Sequence, residues 1–182
     1  MGLFSKYIER KFISLAGEKY EEILKSYFDF LLTEEERKVP EVERILMPLD
    51  RYSSKVPENV FPAFELFKDA KIFLVYIIEE NIVRLIRETL GEEEAIEYVL
   101  KEEADGKKVL RLLAERFTKM GFVVDFELKR GEGINIIGNL SEDFNLIFVS
   151  KHFGSEPTKT HMISPLVFSL LQIMNLPLVL YG

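Results

Sequence analysis

Short apolar runs alternate along most of the chain with longer stretches in which apolar positions recur every third or fourth residue. Residues 44–50, RILMPLD, form the first such run and end in an acid; they predict a strand. Residues 57–70 place Val60, Phe61, Phe64 and Phe67 at helical spacing. Residues 71–78, KIFLVYII, are too apolar to alternate, as expected of a strand covered on both faces. A helix is then predicted over about 94–120, with Gly106 as an interruption, and a third strand over 122–128. A short helical turn at 134–140, a fourth strand at 146–150, a helix at 165–174 and a fifth strand at 177–181 complete the pattern. Strands alternating with helices imply a parallel α/β sheet with helices on both faces.

The first forty residues read differently. Phe4, Ile8, Phe12 and Leu15, then Tyr20, Ile23, Leu24, Tyr27, Phe28 and Leu31, keep helical spacing, with a break at Gly17. The charged stretch 34–40 ends at Pro40 and reads as a turn and linker. The predicted organisation is an N-terminal helical extension, 1–42, and an α/β domain, 43–182. Residues 162–182 carry no Asp, Glu, Lys or Arg, but Ser164, Pro165, Gln172, Asn175 and Pro177 interrupt them. A buried helix followed by a strand explains that stretch better than a membrane span.

Charge and composition narrow the function. The 182 residues include 24 Lys and Arg against 31 Asp and Glu, a net charge of -7 that repels nucleic acid. With no cysteine, disulfides, thiol catalysis and thiolate metal sites are excluded. Lys6, Glu9, Arg10 and Lys11 break up any export signal at the N-terminus, and a cytoplasmic location is expected. Neither a Gly-x-Ser-x-Gly elbow nor a Walker-type phosphate loop is present. The ten acids of residues 79–105 face only Arg84, Arg87 and Lys101, which reads as a solvated helical face. His152 and His161 lack a neighbouring carboxylate pair, so no metal is expected. They share a locally basic loop with Lys151 and Lys159, and Ser164-Pro165 at its end is a good helix start.

Three segments taken in order, RILMPLD at 44–50, YIIE at 76–79, and NLIFV at 145–149 followed by PLVL at 177–180, resemble the universal stress protein family over about residues 43–182. The resemblance implies an adenine-nucleotide-binding-like sandwich with strand order 3-2-1-4-5, and a homodimer joined along the fifth strand. In the family's ATP-binding branch the loop after strand four carries Gly, two residues, Gly, nine residues, then Gly followed by Ser or Thr. Here the three glycine positions hold Ser150, Phe153 and Ile163, and Ser164 alone agrees. Gly154 lies one residue late, while Phe153 and Ile163 crowd the path.

The resemblance places Asp50 at the adenine and ribose end of a nucleotide and Ile77 beside the adenine ring. Arg51 replaces a small residue and could meet an anion; His152 and Ser164 complete the candidate cofactor-binding set. The expectation is a non-catalytic regulatory or interaction module in stress response, with no cofactor and no ATP bound. The alternative is a sensor that binds ATP or AMP and hydrolyses ATP slowly.

The extension remains unexplained by that likeness. Residues 1–32 contain four Phe and three Tyr, too much aromatic surface to leave in water. Docking on protein is expected, whether its own sandwich, the partner subunit or an unknown protein. Lys6, Arg10 and Lys11 beside Phe4, Ile8 and Phe12 suit a peripheral membrane contact. Glu18, Glu21, Glu22 and Asp29 make lipid the less favoured surface.

Overall fold

Five strands form one parallel sheet: β1 (Arg44–Leu49), β2 (Lys71–Glu79), β3 (Val124–Gly131), β4 (Leu146–Ser150) and β5 (Leu178–Tyr181), in the order β3-β2-β1-β4-β5. This is the order expected. The computed structural model describes residues 42–156, 158 and 162–182, so the extension, its docking or membrane contact, and Lys159 and His161 lie outside the described residues.

Strand character follows burial. β1, β2 and β4 are apolar on both faces, and their side chains divide alternately between two cores. Ile45, Met47, Leu49, Ile72, Leu74 and Tyr76 meet one layer of helices, while Leu46, Val75, Ile77, Ile147 and Val149 meet the other.

The first layer contains α1 (Phe61–Phe64), flanked by 3-10 turns at Glu58–Val60 and Glu65–Phe67, then α2 (Glu80–Thr89) and α3 (Glu92–Lys119). Phe64 stacks on Phe148 at 4.1 Å and meets Phe117 edge-on at 4.7 Å, pinning α1 and α3 to β4. The segment predicted as a single helix over 57–70 is thus three short pieces. The helix expected from 94 begins at Glu92, follows a helix the pattern did not predict, and passes through Gly106 unbroken. Gly91, with φ of +126°, makes the turn between the two helices.

The second layer is α4 (Gly133–Ser141) and α5 (Pro165–Ile173). Residues 162–182 therefore split into a helix and a strand as expected, and no helix among the described residues is long and apolar enough to cross a membrane.

Pro48 shapes the sheet where it matters for function. The Arg44 carbonyl accepts from Asn145 N–H, so residues 44, 46 and 48 turn their backbone polar groups towards β4. Pro48 has no N–H to offer there. The β1–β4 ladder accordingly runs through Ile45↔Leu146 and Leu46↔Ile147 and goes no further, whereas β1 pairs with β2 as far as Leu49↔Tyr76.

Candidate functional site

The carboxyl ends of β1 and β4 flank the point where chain connections leave the sheet in opposite directions, the place at which open α/β sheets bind ligands. Asp50 follows β1 directly, and the β1–β2 register puts it level with Ile77. Ser150 ends β4, and the following loop carries His152, Phe153 and Gly154 before Ser164 starts α5.

Asp50 is buried, with 7% of its surface exposed. Its Oδ1 accepts from Ser53 Oγ at 2.5 Å, Ser53 N at 2.8 Å and Tyr52 N at 3.1 Å. Its Oδ2 accepts from Gly154 N at 2.6 Å, and Ser53 Oγ in return accepts from Asp50 N at 2.8 Å. The carboxylate thus closes a turn within residues 50–53 and also ties the end of β1 to the loop after β4. Burial pushes its pKa above the usual carboxylate range, against the opposing pull of the Ser53 hydroxyl and the Gly154, Ser53 and Tyr52 amides.

That loop is folded down onto the core that α4 and α5 cover. Phe153 N donates to Ser150 O at 3.0 Å, Ser155 N to His152 O at 3.1 Å, and Ser164 N to Lys151 O at 2.8 Å. Phe153 is 1% exposed and packs with Ile77, Val149, Val167 and Leu170. A Cβ built on Gly133 would lie 3.5 Å from both Phe153 Cζ and Leu166 Cδ1, so these side chains fill the space between the loop and the start of α4. Gly133 N itself donates to Glu79 Oε2 at 2.9 Å.

Ser164 is likewise engaged: its hydroxyl caps α5 by accepting from Val167 N at 3.1 Å and donates to the Phe153 carbonyl. Ile77 is buried as plain core. His152 is half-buried, its backbone N–H donating to Ser150 Oγ at 3.2 Å, and its Nε2 has no hydrogen-bond partner among the described residues. The structure thus gathers Asp50, Ile77, Phe153 and Ser164 at one edge.

Arg51 leads into a second cluster over α3. Its Nη1 donates to Tyr98 Oη at 3.3 Å and lies 3.9 Å from Glu102 Oε1, and its guanidinium sits over the Tyr52 and Tyr98 rings. Its hydrogen bond to Tyr98 raises its pKa, which keeps it charged. Buried Glu102 accepts from Tyr76 Oη at 3.0 Å. Burial, aided by the Glu102 charge, drives the Tyr76 phenol far above its ordinary pKa. Sequence reasoning missed Ser53, Tyr76, Glu102 and Gly154 as site residues; the Asp50-x-x-Ser53 spacing was the one local signal that pointed to a closed turn.

Among the described residues no group of three or more His, Asp and Glu is placed to hold a metal. Two open hollows of about 510 and 440 Å³ lie elsewhere, one between α3 and β3 around Phe126, the other at the amino ends of β1 and β2 around Phe73.

No model of a known protein family matches the chain, and no curated protein does. Solved structures match it well. The hypothetical protein MJ0577 aligns with a TM-score of 0.61 and 18% identity over 77% of this chain and 95% of its own. The universal stress protein UspA from Lactobacillus plantarum aligns with a TM-score of 0.60 and 12% identity over 77% of this chain and 97% of its own. A universal stress protein family member from Burkholderia pseudomallei gives 0.55 and 19% over 78% and 97%. The chain has the universal stress protein fold.

Proposed function

We propose that this chain is a universal-stress-protein-like regulatory or interaction module in stress response, acting in the cytoplasm as a homodimer joined along β5, without catalysis and without bound ATP. The observation that carries this reading is the engagement of Asp50. Both of its oxygens already receive donors from Tyr52, Ser53 and Gly154. A ligand reaching it must displace charge-assisted hydrogen bonds in a buried setting, which are the strong kind. Phe153, at a position where bare backbone would be needed, is buried under the same loop.

Calorimetric titration with ATP and magnesium at neutral pH tests the reading. No heat beyond dilution is expected. A low-micromolar Kd would favour the alternative, an adenine-nucleotide sensor, and release of inorganic phosphate would make it a slow ATPase.

A further inference from the structure

We propose that β3, the edge of the sheet opposite β5, pairs antiparallel with β3 of another copy of this chain, in one register centred on Leu128. The proposal goes beyond the nucleotide reading and the β5 pairing and depends on neither. Three observations lead to it.

First, the edge is regular and open. β3 pairs with β2 from Ile72↔Val124 to Glu79↔Gly131 with no bulge and no proline, and among the described residues no strand lies on its other side. Ile72 N donates to Val123 O at 2.9 Å, so residues 123, 125, 127 and 129 turn their backbone polar groups towards β2. Val124, Phe126, Leu128 and Arg130 therefore turn theirs outward, as a template for a further strand. Phe126 is 48% exposed, and α4 leads from the end of β3 inward to β4, away from this edge.

Second, the backbone restricts the register. Antiparallel strands bond only where outward-facing residues oppose outward-facing residues. For two copies of β3 about a two-fold axis, the axis must then pass through a residue. Near the middle of the strand that residue is Glu127, Leu128 or Lys129.

Third, charge chooses among the three. An axis at Glu127 sets that carboxylate against itself, and an axis at Lys129 does the same with its ammonium; like charges directly opposite destabilise a sheet. The axis at Leu128 sets Glu127 against Lys129 of the other copy, twice over. Glu127 and Lys129 share a sheet face and form an ion pair within the strand at 3.0 Å, so four charges alternate in sign around the axis. On the opposite face the same register lays Phe126 beside Arg130 of the other copy, a guanidinium against an aromatic ring. Charges on an edge strand ordinarily ward off pairing. Here they do so in every central register but one.

One strand from each copy is a small interface, so association is expected at about 0.1 mM and above. The test is sedimentation equilibrium of the full chain up to about 0.5 mM, in a Leu180→Lys background so that β5 pairing does not contribute. Glu127→Lys and Lys129→Glu, each alone, are expected to weaken association by about fivefold or more. Mixed together, the two variants set Lys against Glu at both crossings, and the mixture should associate within about threefold of the parent. A parent that keeps the mass of one chain throughout, or a mixture that associates no better than the single variants, overturns the proposal. Amide exchange of the unmodified chain gives a second reading that depends on no variant folding. Between about 20 µM and 0.5 mM, Phe126, Leu128 and Arg130 should gain protection by about threefold or more while Asp125, Glu127 and Lys129, already turned to β2, change less. No gain, or an equal gain in both sets, would refute the edge pairing.

Discussion

Gly106 of α3 lies directly on the ring of Tyr76 in β2: a Cβ at position 106 would stand 2.5 Å from Tyr76 Cδ1 and 2.8 Å from Cε1. Both residues are buried, and the Tyr76 hydroxyl beyond the ring donates to Glu102 one turn earlier on the same helix. The helix can approach the sheet this closely because position 106 carries no side chain.

Gly106→Ala therefore sets two effects against each other. Alanine should favour an isolated helix by about 1 kcal/mol. Forcing a methyl into the Tyr76 ring should cost about 1–3 kcal/mol, because neither the strand nor the helix can retreat without disturbing the surrounding core. Net destabilisation is expected in urea unfolding, and a variant more stable than wild type would show that the contact is looser than described.

Tyr76→Phe examines the other end of the same contact. The substitution keeps the ring and removes the donor to Glu102 Oε2, leaving a buried carboxylate with Arg51 Nη1 3.9 Å away. A loss of about 1–3 kcal/mol is expected. Adding Glu102→Gln should recover part of it, since a neutral amide is easier to leave underpaired. Equal stability of the Tyr76→Phe protein and wild type would deny the hydrogen bond any weight.

The titration of Asp50 has a definite sign. Burial raises its pKa in the folded state, so the folded protein binds that proton more readily than the unfolded chain does. Its contribution is fully present below the unfolded pKa and is lost as pH rises through the folded value. The stability of wild type relative to Asp50→Asn should then be greatest in acid and fall as pH rises above the ordinary aspartate range. Comparing the two proteins cancels the other carboxylates. Urea unfolding of both from pH 3 to 7 checks it, and a difference that grows in favour of wild type with rising pH would contradict the raised pKa.

Much of the fold was legible because burial and periodicity agree. β4 falls on residues 146–150 as predicted, and Ser164-Pro165 starts α5 as its cap and first-turn proline require. Edges were read less well. β3 extends to Gly131, three residues beyond the apolar run, since an edge strand needs no apolar side chain to keep its ladder with β2 through Ile78↔Arg130 and Glu79↔Gly131. α2 was hidden because its acids and arginines surround four apolar positions, Ile82, Val83, Leu85 and Ile86, immediately after the densest strand.

The site divides in the same way. Phe153 is large and apolar, and the structure buries it at 1% exposure. The bond from Gly154 to Asp50 was not legible, because it depends on which strand ends lie side by side, and local sequence carries no trace of a partner 104 residues away.

The proposed homodimer makes the last prediction. β5 pairs with β4 from Ile147↔Leu178 to Ser150↔Tyr181, and among the described residues no strand lies on its other side. An uncovered apolar edge strand invites pairing with a second copy, and a two-fold axis would set β5 against β5. α5 adds area to that flank: Val167 and Leu170 face the core, while Phe168 and Leu171 stay 55% and 41% exposed. Leu180, at 36%, is the exposed apolar residue of the strand itself. Light scattering at micromolar concentration should return twice the 21.2 kDa chain mass. Leu180→Lys should weaken the dimer by about tenfold or more, since it puts an unpaired charge at the centre of an apolar contact. Leu66→Lys, at a position 81% exposed in the 3-10 turn after α1, should leave the mass unchanged. A wild-type protein with the mass of one chain would overturn the dimer.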